Sequence, residues 1–384
     1  MKNKFTILLA PDSFKESMTA KEVCIAMEKG IKKVDSEINC IQVPMADGGE
    51  GTMQSLIDAT NGKIYSIKVV GPISNEVEAQ YGILGNGQVG VIEMASASGI
   101  HLVSKEKRNP LITTTYGTGQ LIKACLDKGV KKILIGIGGS ATNDGGVGAI
   151  QALGAKFLDE QGKEIGFGGC ELGKLKRIDL SNLDERLSKV EIEVACDVNN
   201  PLCGKNGASN IFGPQKGALK EMIILLDKNL KHYADIIKEQ YGKDIVNIPG
   251  AGAAGGLGAG LVAFLDGKLE KGIDLVIKYS RLEEKIKFCD TVFTGEGSID
   301  YQTKFGKTPI GVARLAKKYN KPVIALAGNV GNNIGDLYEN AIDSIFGIMG
   351  GVNSLEEALR NGKENIERTS ENIMRLIRCS SKYS

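Results

Sequence analysis

The chain has 384 residues, which is enough for two domains of ordinary size. Apolar residues make up 42% of it and charged residues 24%, as is usual for globular proteins, and the formal net charge is only +2. This small charge argues against a nucleic-acid-binding protein, because such proteins usually carry a clear excess of basic residues. No run of uncharged apolar residues is long enough to predict a membrane span.

The pattern of cysteines and histidines argues against several further classes of protein. The eight cysteines are scattered without a Cys-x-x-Cys pair, so the sequence predicts neither a disulfide framework nor a zinc site. The apolar run near the N-terminus stops at Pro11 and is too short for a secretory signal, which favours a cytoplasmic protein. Only two histidines occur, His101 and His232, and no Gly-x-Ser-x-Gly motif, which argues against a histidine-dependent hydrolase.

Short apolar runs typical of strands alternate along the chain with helical patterns. Strands are predicted at 5–10, 40–46, 63–70, 78–84, 90–95, 131–137, 190–196, 291–295, 322–328 and 344–349. A capping box at Thr19 and Glu22 predicts the start of the first helix, and further helices are predicted near 50–60, 117–128, 146–153, 217–241, 256–265, 306–319 and 354–378. This alternation predicts an α/β fold with a largely parallel sheet.

The first strand and the last strands share one form, a short apolar run that ends in a small polar loop. We therefore predict that residues 1–75 and 288–384 together form one doubly wound domain. Residues 76–287 would then form an inserted second domain, which the chain enters through the turn at 71–75.

Glycine is enriched, with 50 residues, and it clusters in loops that follow predicted strands. Five such loops carry acidic or polar residues: 12–15, 47–51, 138–146, 197–200 and 295–300. In parallel α/β sheets the loops at the carboxyl ends of the strands form the ligand crevice. Glycine lets backbone N–H groups approach a phosphate closely, and carboxylates suit Mg²⁺ or a hydroxyl proton. The loops therefore predict a phosphate-handling site.

Two standard nucleotide-binding motifs give little support for a nucleotide site of a known type. A Walker A motif is absent, because Tyr301 stands five positions before Gly306 where that motif requires glycine. A Gly-x-Gly-x-x-Gly pattern occurs at 250–255, after a weak strand pattern that is broken by Pro249. A variant that ends in alanine occurs at 136–141. A dinucleotide-dependent oxidoreductase that acts on a small hydroxy acid therefore stays open as an alternative.

Seven long motifs occur in a fixed order along the chain. They are APDSFKESMTA, PMADGGEGT, TTTYGTGQLI, GIGGSATNDGGVGAIQALGAKF, VACDVNNPLCGKNGASNIFGPQKGA, IPGAGAAGGLGAG and FTGEGSIDYQTKFGKTPIGVA. In these motifs the chain resembles the bacterial type I glycerate kinases of glyoxylate and glucarate breakdown, over nearly its whole length. Ser298 is a local departure, because a long residue such as arginine is expected there.

The resemblance implies two α/β domains, one of them flavodoxin-like with helices on both faces of a parallel sheet, and an active site in the cleft between them. It implies ATP-dependent phosphorylation of D-glycerate with Mg²⁺, with 2-phosphoglycerate favoured over 3-phosphoglycerate. The expected partner is the small substrate alone, without nucleic acid or membrane, in a monomer or homodimer. A non-catalytic sugar-acid sensor is a third hypothesis, but no DNA-binding element is visible in support of it.

The acceptor site can be predicted from the loops. Glycerate is a small anion, so its carboxylate needs a cation, and Lys15 beside Asp12 and Ser13 is the predicted one. Asp197 ends an apolar run and precedes an Asn-Asn-Pro turn, which favours it as the base for the acceptor hydroxyl. The second candidate base is Asp47, and Asp12, Ser13 and Asn199 are predicted to contact the acceptor together with Lys15.

The glycine-rich loops are predicted to hold the nucleotide phosphates, and three carboxylates are predicted to bind the metal. The predicted phosphate-binding residues are Gly138, Gly139, Ser140, Thr142, Gly145, Gly252, Gly255, Gly295 and Lys307. The predicted Mg²⁺ ligands are Asp144, Glu296 and Asp300, and Asp144 is alternatively expected to fix its own loop.

Overall fold

A computed structural model describes residues 4–380, which form two compact units. The first unit contains the residues up to Asp47, residues Gln54–Asn61 and the residues from Ile273 onward. The second unit contains Gly48–Met53 and Gly62–Gly272. The chain thus passes to the second unit at Gly48, returns to the first unit for Gln54–Asn61, forms most of the second unit over Gly62–Gly272, and then completes the first unit.

Thirteen strands occur in the described residues. They are β1 (Thr6–Leu9), β2 (Asn39–Gln42), β3 (Lys63–Val70), β4 (Glu76–Ile83), β5 (Val89–Glu93), β6 (Lys132–Gly136), β7 (Lys156–Leu158), β8 (Arg177–Asp179), β9 (Glu191–Ala195), β10 (Lys268–Glu270), β11 (Thr291–Ile299), β12 (Val323–Val330) and β13 (Ser344–Gly347).

Fourteen α-helices occur in the same part of the chain. They are α1 (Ala20–Val34), α2 (Thr52–Thr60), α3 (Ala95–Ser98), α4 (Tyr116–Asp127), α5 (Val147–Ala152), α6 (Ala208–Phe212), α7 (Lys220–Tyr241), α8 (Leu257–Leu265), α9 (Gly272–Tyr279), α10 (Leu282–Lys287), α11 (Thr308–Lys318), α12 (Gly335–Asn340), α13 (Leu355–Arg360) and α14 (Gly362–Ser380). None of the helices found in residues 4–380 combines the length and the apolar composition needed to cross a membrane.

The first unit is built on a five-stranded parallel sheet in the order β13-β12-β11-β1-β2. Read from the other edge, this is the flavodoxin-like order, in which the direction of winding changes between β1 and β11. Ile7 and Leu9 on one face of β1 belong to a core with residues of α1 and α14, and Leu8 on the opposite face is buried as well. Both faces of the sheet are therefore covered.

The second unit is built on a six-stranded mixed sheet in the order β10-β9-β6-β5-β4-β3. Strands β5, β6, β9 and β10 are parallel, whereas β3, β4 and β5 form an antiparallel meander. The core of this unit contains an aromatic cluster of Phe157, Tyr233 and Phe264. The Tyr233 hydroxyl donates a hydrogen bond to the carbonyl of Gly145 at 3.1 Å, which connects the cluster to the loop after β6.

The predicted α/β fold class is confirmed, and so is the capping box of Thr19 and Glu22 at the start of α1. Three local predictions were wrong. The helix predicted over 354–378 is two helices that meet at Asn361, the loop predicted at 295–300 is largely the end of β11, and no strand precedes the glycine-rich segment 250–255. The glycine pattern at 250–255 therefore lacks the strand that a dinucleotide-binding fold requires.

The division into units differs from the predicted domain boundaries. Strand β3 pairs with β4 in the sheet of the second unit, so the first unit does not extend to residue 75. Helices α9 and α10 belong almost wholly to the first unit, so that unit resumes at Ile273 rather than at residue 288. The predicted position of the active site between two domains stays a prediction.

Gly145 shows how tightly the loop after β6 is packed, and it offers a test of that packing. Its φ is +65°, and a Cβ at this position would lie 2.7 Å from the Tyr233 ring. We expect Gly145→Ala to lower the free energy of unfolding by about 2–4 kcal/mol, from overpacking plus backbone strain. Urea denaturation followed by circular dichroism measures this effect.

Gly204→Ala is the matched control, because Gly204 has φ +89° but a Cβ there would have no neighbouring atom within 4 Å. Its free energy of unfolding should fall only by the cost of backbone strain, about 1–2 kcal/mol. Equal decreases in the two variants would show that packing against Tyr233 contributes nothing to the stability.

Candidate functional site

The first unit contains a cavity of about 640 Å³ where the winding of its sheet changes direction. The loops that follow β1 and β2 line it, together with the end of β11 and the residue before α11. Its charged lining residues include Asp12, Lys15, Asp47, Glu296 and Lys307. The structure thus brings together, in one cavity, five of the residues that the sequence singled out.

Each of the two more buried carboxylates in this cavity is fixed by donors from other elements. Asp12 accepts hydrogen bonds from the Ser13 amide at 2.6 Å and from the Thr308 hydroxyl at 2.5 Å. Glu296 accepts one from the Thr303 hydroxyl at 2.7 Å, and its other oxygen lies 3.4 Å from Nζ of Lys307. Both carboxylates therefore have a defined orientation.

Burial raises the pKa of both carboxylates. It raises the pKa of Asp12 to about 6, with the charge of Asp47 adding to the shift and the Thr308 hydrogen bond opposing it. It raises the pKa of Glu296 to about 7, against the opposing effects of Thr303 and Lys307. Asp12 contributes further to the shift at Glu296, so the two groups repel each other when both are ionised.

Part of the lining of the same cavity is apolar. Its apolar lining side chains are Phe14, Met18, Ile348, Met349, Leu355, Ala358 and Leu359. They come from the turn after β1, the segment after β13 and helix α13, and the polar side chains of Ser17 and Asn353 line the cavity from the same segments. One cavity therefore combines charged and apolar lining residues.

The second unit contains a smaller cavity of about 240 Å³ at the carboxyl ends of β6 and β9. Gly138, Gly139 and Ser140 line it from the loop after β6, and Asp197 lines it from the loop after β9. Lys216 completes its charged lining. The cavity thus offers one carboxylate, one hydroxyl, one ammonium and several glycine backbones.

The loop 138–146 is held in place by a buried carboxylate. Asp144 is 1% exposed and accepts hydrogen bonds from the Thr115 amide and hydroxyl, both at 2.8 Å, and from the amides of Gly146 at 3.1 Å and Gly148 at 3.4 Å. Burial raises its pKa, and these hydrogen bonds oppose the rise. Asp144 therefore anchors the loop to the starts of α4 and α5.

Asp197 is exposed at the end of β9, where its Oδ1 accepts a hydrogen bond from the Gly272 amide at 3.0 Å. This contact orients the carboxylate beside the cavity. Asn199, two residues further on, is exposed and does not belong to the lining of either cavity. The structure thus supports a contact with a small ligand for Asp197 but not for Asn199.

Two of the three predicted metal ligands accept hydrogen bonds that hold the local backbone. The oxygens of Asp144 accept from four protein donors, and Oδ1 of Asp300 caps a short 3-10 helix by accepting from the Gln302 amide at 2.8 Å. Only Glu296 lines a cavity. In residues 4–380 no group of three or more His, Cys, Asp or Glu side chains has the geometry to hold a metal by itself.

Several glycines predicted to bind phosphate serve close packing of the backbone. A Cβ would lie 2.2 Å from the Pro201 carbonyl oxygen at Gly252, 2.0 Å from that of Thr142 at Gly255, and 2.4 Å from that of Leu326 at Gly295. Gly145 packs against Tyr233, and the Thr142 side chain is buried behind the loop. None of these residues lines either cavity, so direct contact with phosphate is not supported for them.

Comparison with known proteins identifies the family of this chain. The profile of the glycerate kinase family matches residues 7–378. The chain belongs to the glycerate kinase family. It is therefore an enzyme of the kinase class, as predicted.

Similar proteins match nearly the full length of the chain. It is 54% identical to a glycerate kinase of Halalkalibacterium halodurans, over 96% of this chain and 97% of the relative. It is 53% identical to the glycerate 2-kinase of Escherichia coli, over 96% of each chain. The crystal structure of a Salmonella typhimurium protein assigned as glycerate kinase 2 superposes with a TM-score of 0.92 at 47% identity, over 99% of this chain and 100% of the other.

Sequence reasoning missed some residues that contribute to the site. Lys216 lines the smaller cavity although it stands in a segment, Pro-Gln-Lys-Gly, that is typical of a surface turn. Thr303 and Thr308 orient Glu296 and Asp12 from positions that carry no recognisable signal for that role. His232, by contrast, lines neither cavity, and its Nε2 lies 2.7 Å from the Leu175 carbonyl oxygen.

The raised pKa of Asp12 predicts a dependence of stability on pH. With a pKa of about 6, the folded protein holds this proton more tightly than the unfolded chain, whose carboxyl has an ordinary pKa of about 4. Protonation therefore favours the folded state at low pH, and this contribution is lost as the pH rises from about 4 to about 6. We expect Asp12→Asn to raise the Tm by a few degrees at about pH 7.5 and to leave it unchanged near pH 4.

Thermal melts in a chelator, across this pH range, measure the effect. Glu50→Gln is the control, because the Glu50 side chain is exposed and its charge is already in water. An Asp12→Asn protein that is less stable than wild type at every pH would contradict the prediction.

Proposed function

We propose that this chain transfers the γ-phosphoryl group of ATP to D-glycerate, with Mg²⁺, and that the product is 2-phosphoglycerate. The observation that carries the proposal is the family match over residues 7–378, which includes the loops that line both cavities. The 2-hydroxyl is favoured because the Escherichia coli relative, at 53% identity, is a glycerate 2-kinase. Phosphoryl transfer requires positioning and charge stabilisation rather than a histidine, which suits a chain with two histidines.

The larger cavity is the proposed nucleotide site. Its volume of about 640 Å³ lies in the usual range for ligand pockets, and its position at the winding change of a parallel sheet is typical of nucleotide sites. The apolar lining residues suit a purine base. Lys15 and Lys307 in the same lining suit the phosphates, as predicted for Lys307.

The carboxylates of that cavity fit a magnesium ion that is bound together with phosphate. Mg²⁺ is usually held by one or two protein carboxylates plus substrate phosphates, so the lack of a three-carboxylate cluster in residues 4–380 does not conflict with it. Asp12 and Glu296 are the proposed ligands, because they are oriented, buried and mutually repelling. When bound, the ion would neutralise charge on the phosphates.

Asp197 remains the proposed base for the acceptor hydroxyl. Its carboxylate lines a small cavity beside glycine backbones and Ser140, and the Gly272 amide fixes one of its oxygens. A base of this kind accepts the hydroxyl proton as the oxygen attacks phosphorus. Asp47, the second candidate, lines the larger cavity and raises the pKa of Asp12, which suits the metal side better than the acceptor side.

The oxidoreductase alternative has no support left. It rested on the glycine pattern at 250–255, and those glycines have no preceding strand and pack against backbone carbonyls. The monomer or homodimer and the cytoplasmic location stay predictions. A sensor without catalysis would bind glycerate but release no product.

Product analysis tests the proposed reaction directly. Purified protein incubated with ATP, Mg²⁺ and D-glycerate should give the ³¹P resonance of 2-phosphoglycerate, and activity should be lost in a chelator and return with Mg²⁺. L-glycerate is the matched control for the acceptor. A 3-phosphoglycerate product would overturn the regiochemistry, and binding of D-glycerate without any product would favour the sensor.

Asp197→Asn tests the proposed base. Because a positioned base usually contributes on the order of 10²- to 10⁴-fold, kcat should fall by about that factor with little change in Tm. Asp244→Asn, which alters an exposed carboxylate of the same unit that pairs with Lys238, is the control and should keep full activity. A loss in Asp197→Asn of less than about threefold would assign Asp197 a structural role.

A further inference from the structure

Lys216 is a buried lysine that the reaction outlined above does not yet use. It is 1% exposed and lines the smaller cavity. It ends the 3-10 turn Pro214–Lys216, and the chain then reverses at Gly217, whose φ is +90°. A Cβ at Gly217 would lie 2.3 Å from the Arg108 carbonyl oxygen, so the turn is fixed against its neighbour. The backbone therefore directs this side chain inward.

The ammonium group of Lys216 has more N–H donors than acceptors within hydrogen-bonding distance in the described part of the chain. Nζ donates a hydrogen bond to the Thr142 carbonyl at 2.7 Å, and no second acceptor for it occurs in the described part of the chain. An ammonium has three N–H donors, and a buried charge without partners is costly. Burial lowers the pKa of Lys216 to about 7, although the nearby Asp144 carboxylate opposes this. An anion in the cavity would stabilise the charged form.

The groups that line the cavity around Lys216 are complementary to those of a small hydroxy acid. Its ammonium can bind a carboxylate, Asp197 can accept from a hydroxyl, and Ser140 adds a hydroxyl between glycine backbones. Among the described residues that line it, Lys216 is the one lysine or arginine. A volume of about 240 Å³ suits a ligand with few heavy atoms better than a nucleotide.

We propose that Lys216 binds the carboxylate of the acceptor substrate and that the smaller cavity is the acceptor site. The inference rests on the proposed function. It replaces the sequence-based assignment of the carboxylate to Lys15, which lines the other cavity. A single small acid must contact both its base and its cation, and Lys216 lines the same cavity as Asp197.

Comparing D-glycerate with a neutral analogue distinguishes recognition of the acceptor's carboxylate by Lys216 from a purely structural role of that residue. If Lys216 binds the carboxylate, Lys216→Met should lower kcat/KM for D-glycerate by roughly 100-fold or more, since a buried charge pair is lost. It should change kcat/KM for glyceramide, which lacks that charge, far less, and leave the KM for ATP within about twofold. Equal losses for both acceptors would assign Lys216 a structural role and overturn the proposal.

Lys243→Met is the matched control, because Lys243 also donates to a backbone carbonyl, that of Ala263 at 2.7 Å, but lines neither cavity. It should keep wild-type kinetics with both acceptors. Lys15→Met tests the rival assignment, and a rise in the KM for glycerate there, with Lys216→Met unaffected, would also overturn the proposal. A rise in the KM for ATP alone in Lys216→Met would assign the ammonium to a nucleotide phosphate instead.

Hydrogen exchange on the wild-type protein tests the same point if Lys216→Met does not fold. D-glycerate alone should protect amides in 138–146 and 213–218 and leave those in 12–18 unchanged. Protection confined to 12–18 would overturn the proposal while the proposed function stands. Absence of protection by saturating D-glycerate, together with absence of product once ATP and Mg²⁺ are added, would overturn the proposed function, and the acceptor site with it.

Discussion

The buried carboxylate of Asp144 is the interaction on which the smaller cavity depends. The loop 138–146 has almost no apolar side chains, so the packing of its own side chains contributes little to holding it against α4 and α5. Four hydrogen bonds to one buried charge hold it instead, and they compensate for the cost of removing that charge from water. Once the loop is fixed, the Thr142 carbonyl faces Lys216 and the backbone of Gly138 and Gly139 borders the cavity.

The sequence predicted the α/β fold class and most of the long elements because they bury continuous apolar runs. β6 and β9 are examples, since nearly every residue of each is buried. It did not predict β7, β8 or β10, because strands of three residues are too short for any periodicity to appear. The extent of the first unit could not be predicted either. Strand β3 belongs to the second unit because it pairs with β4, and nothing in the composition of β3 indicates which sheet it joins.

Glycine enrichment has two physical causes in this chain, and sequence alone does not separate them. Gly138 and Gly139 lie beside a cavity, where the lack of a side chain leaves room for a ligand. Gly252, Gly255 and Gly295 instead lie so close to backbone carbonyls that any Cβ would collide with them. Both kinds occur in loops or strand ends near polar residues, so the glycine pattern alone predicted more phosphate contacts than the cavity linings support.

The roles of the charged residues depend on which donors reach them from distant parts of the chain. Asp144 and Asp300 are satisfied by nearby amides, whereas Asp12 and Glu296 line one cavity with raised pKa values. The cavity of the first unit therefore collects carboxylates whose negative charge the metal ion of the proposed function would offset. Lys216 in the second unit is the opposite case, a buried ammonium that the carboxylate of a small acid would offset. Under the proposed function each cavity would thus gain from its ligand the charge that it lacks, which would favour an anionic acceptor and a metal-bound donor without a dedicated recognition motif.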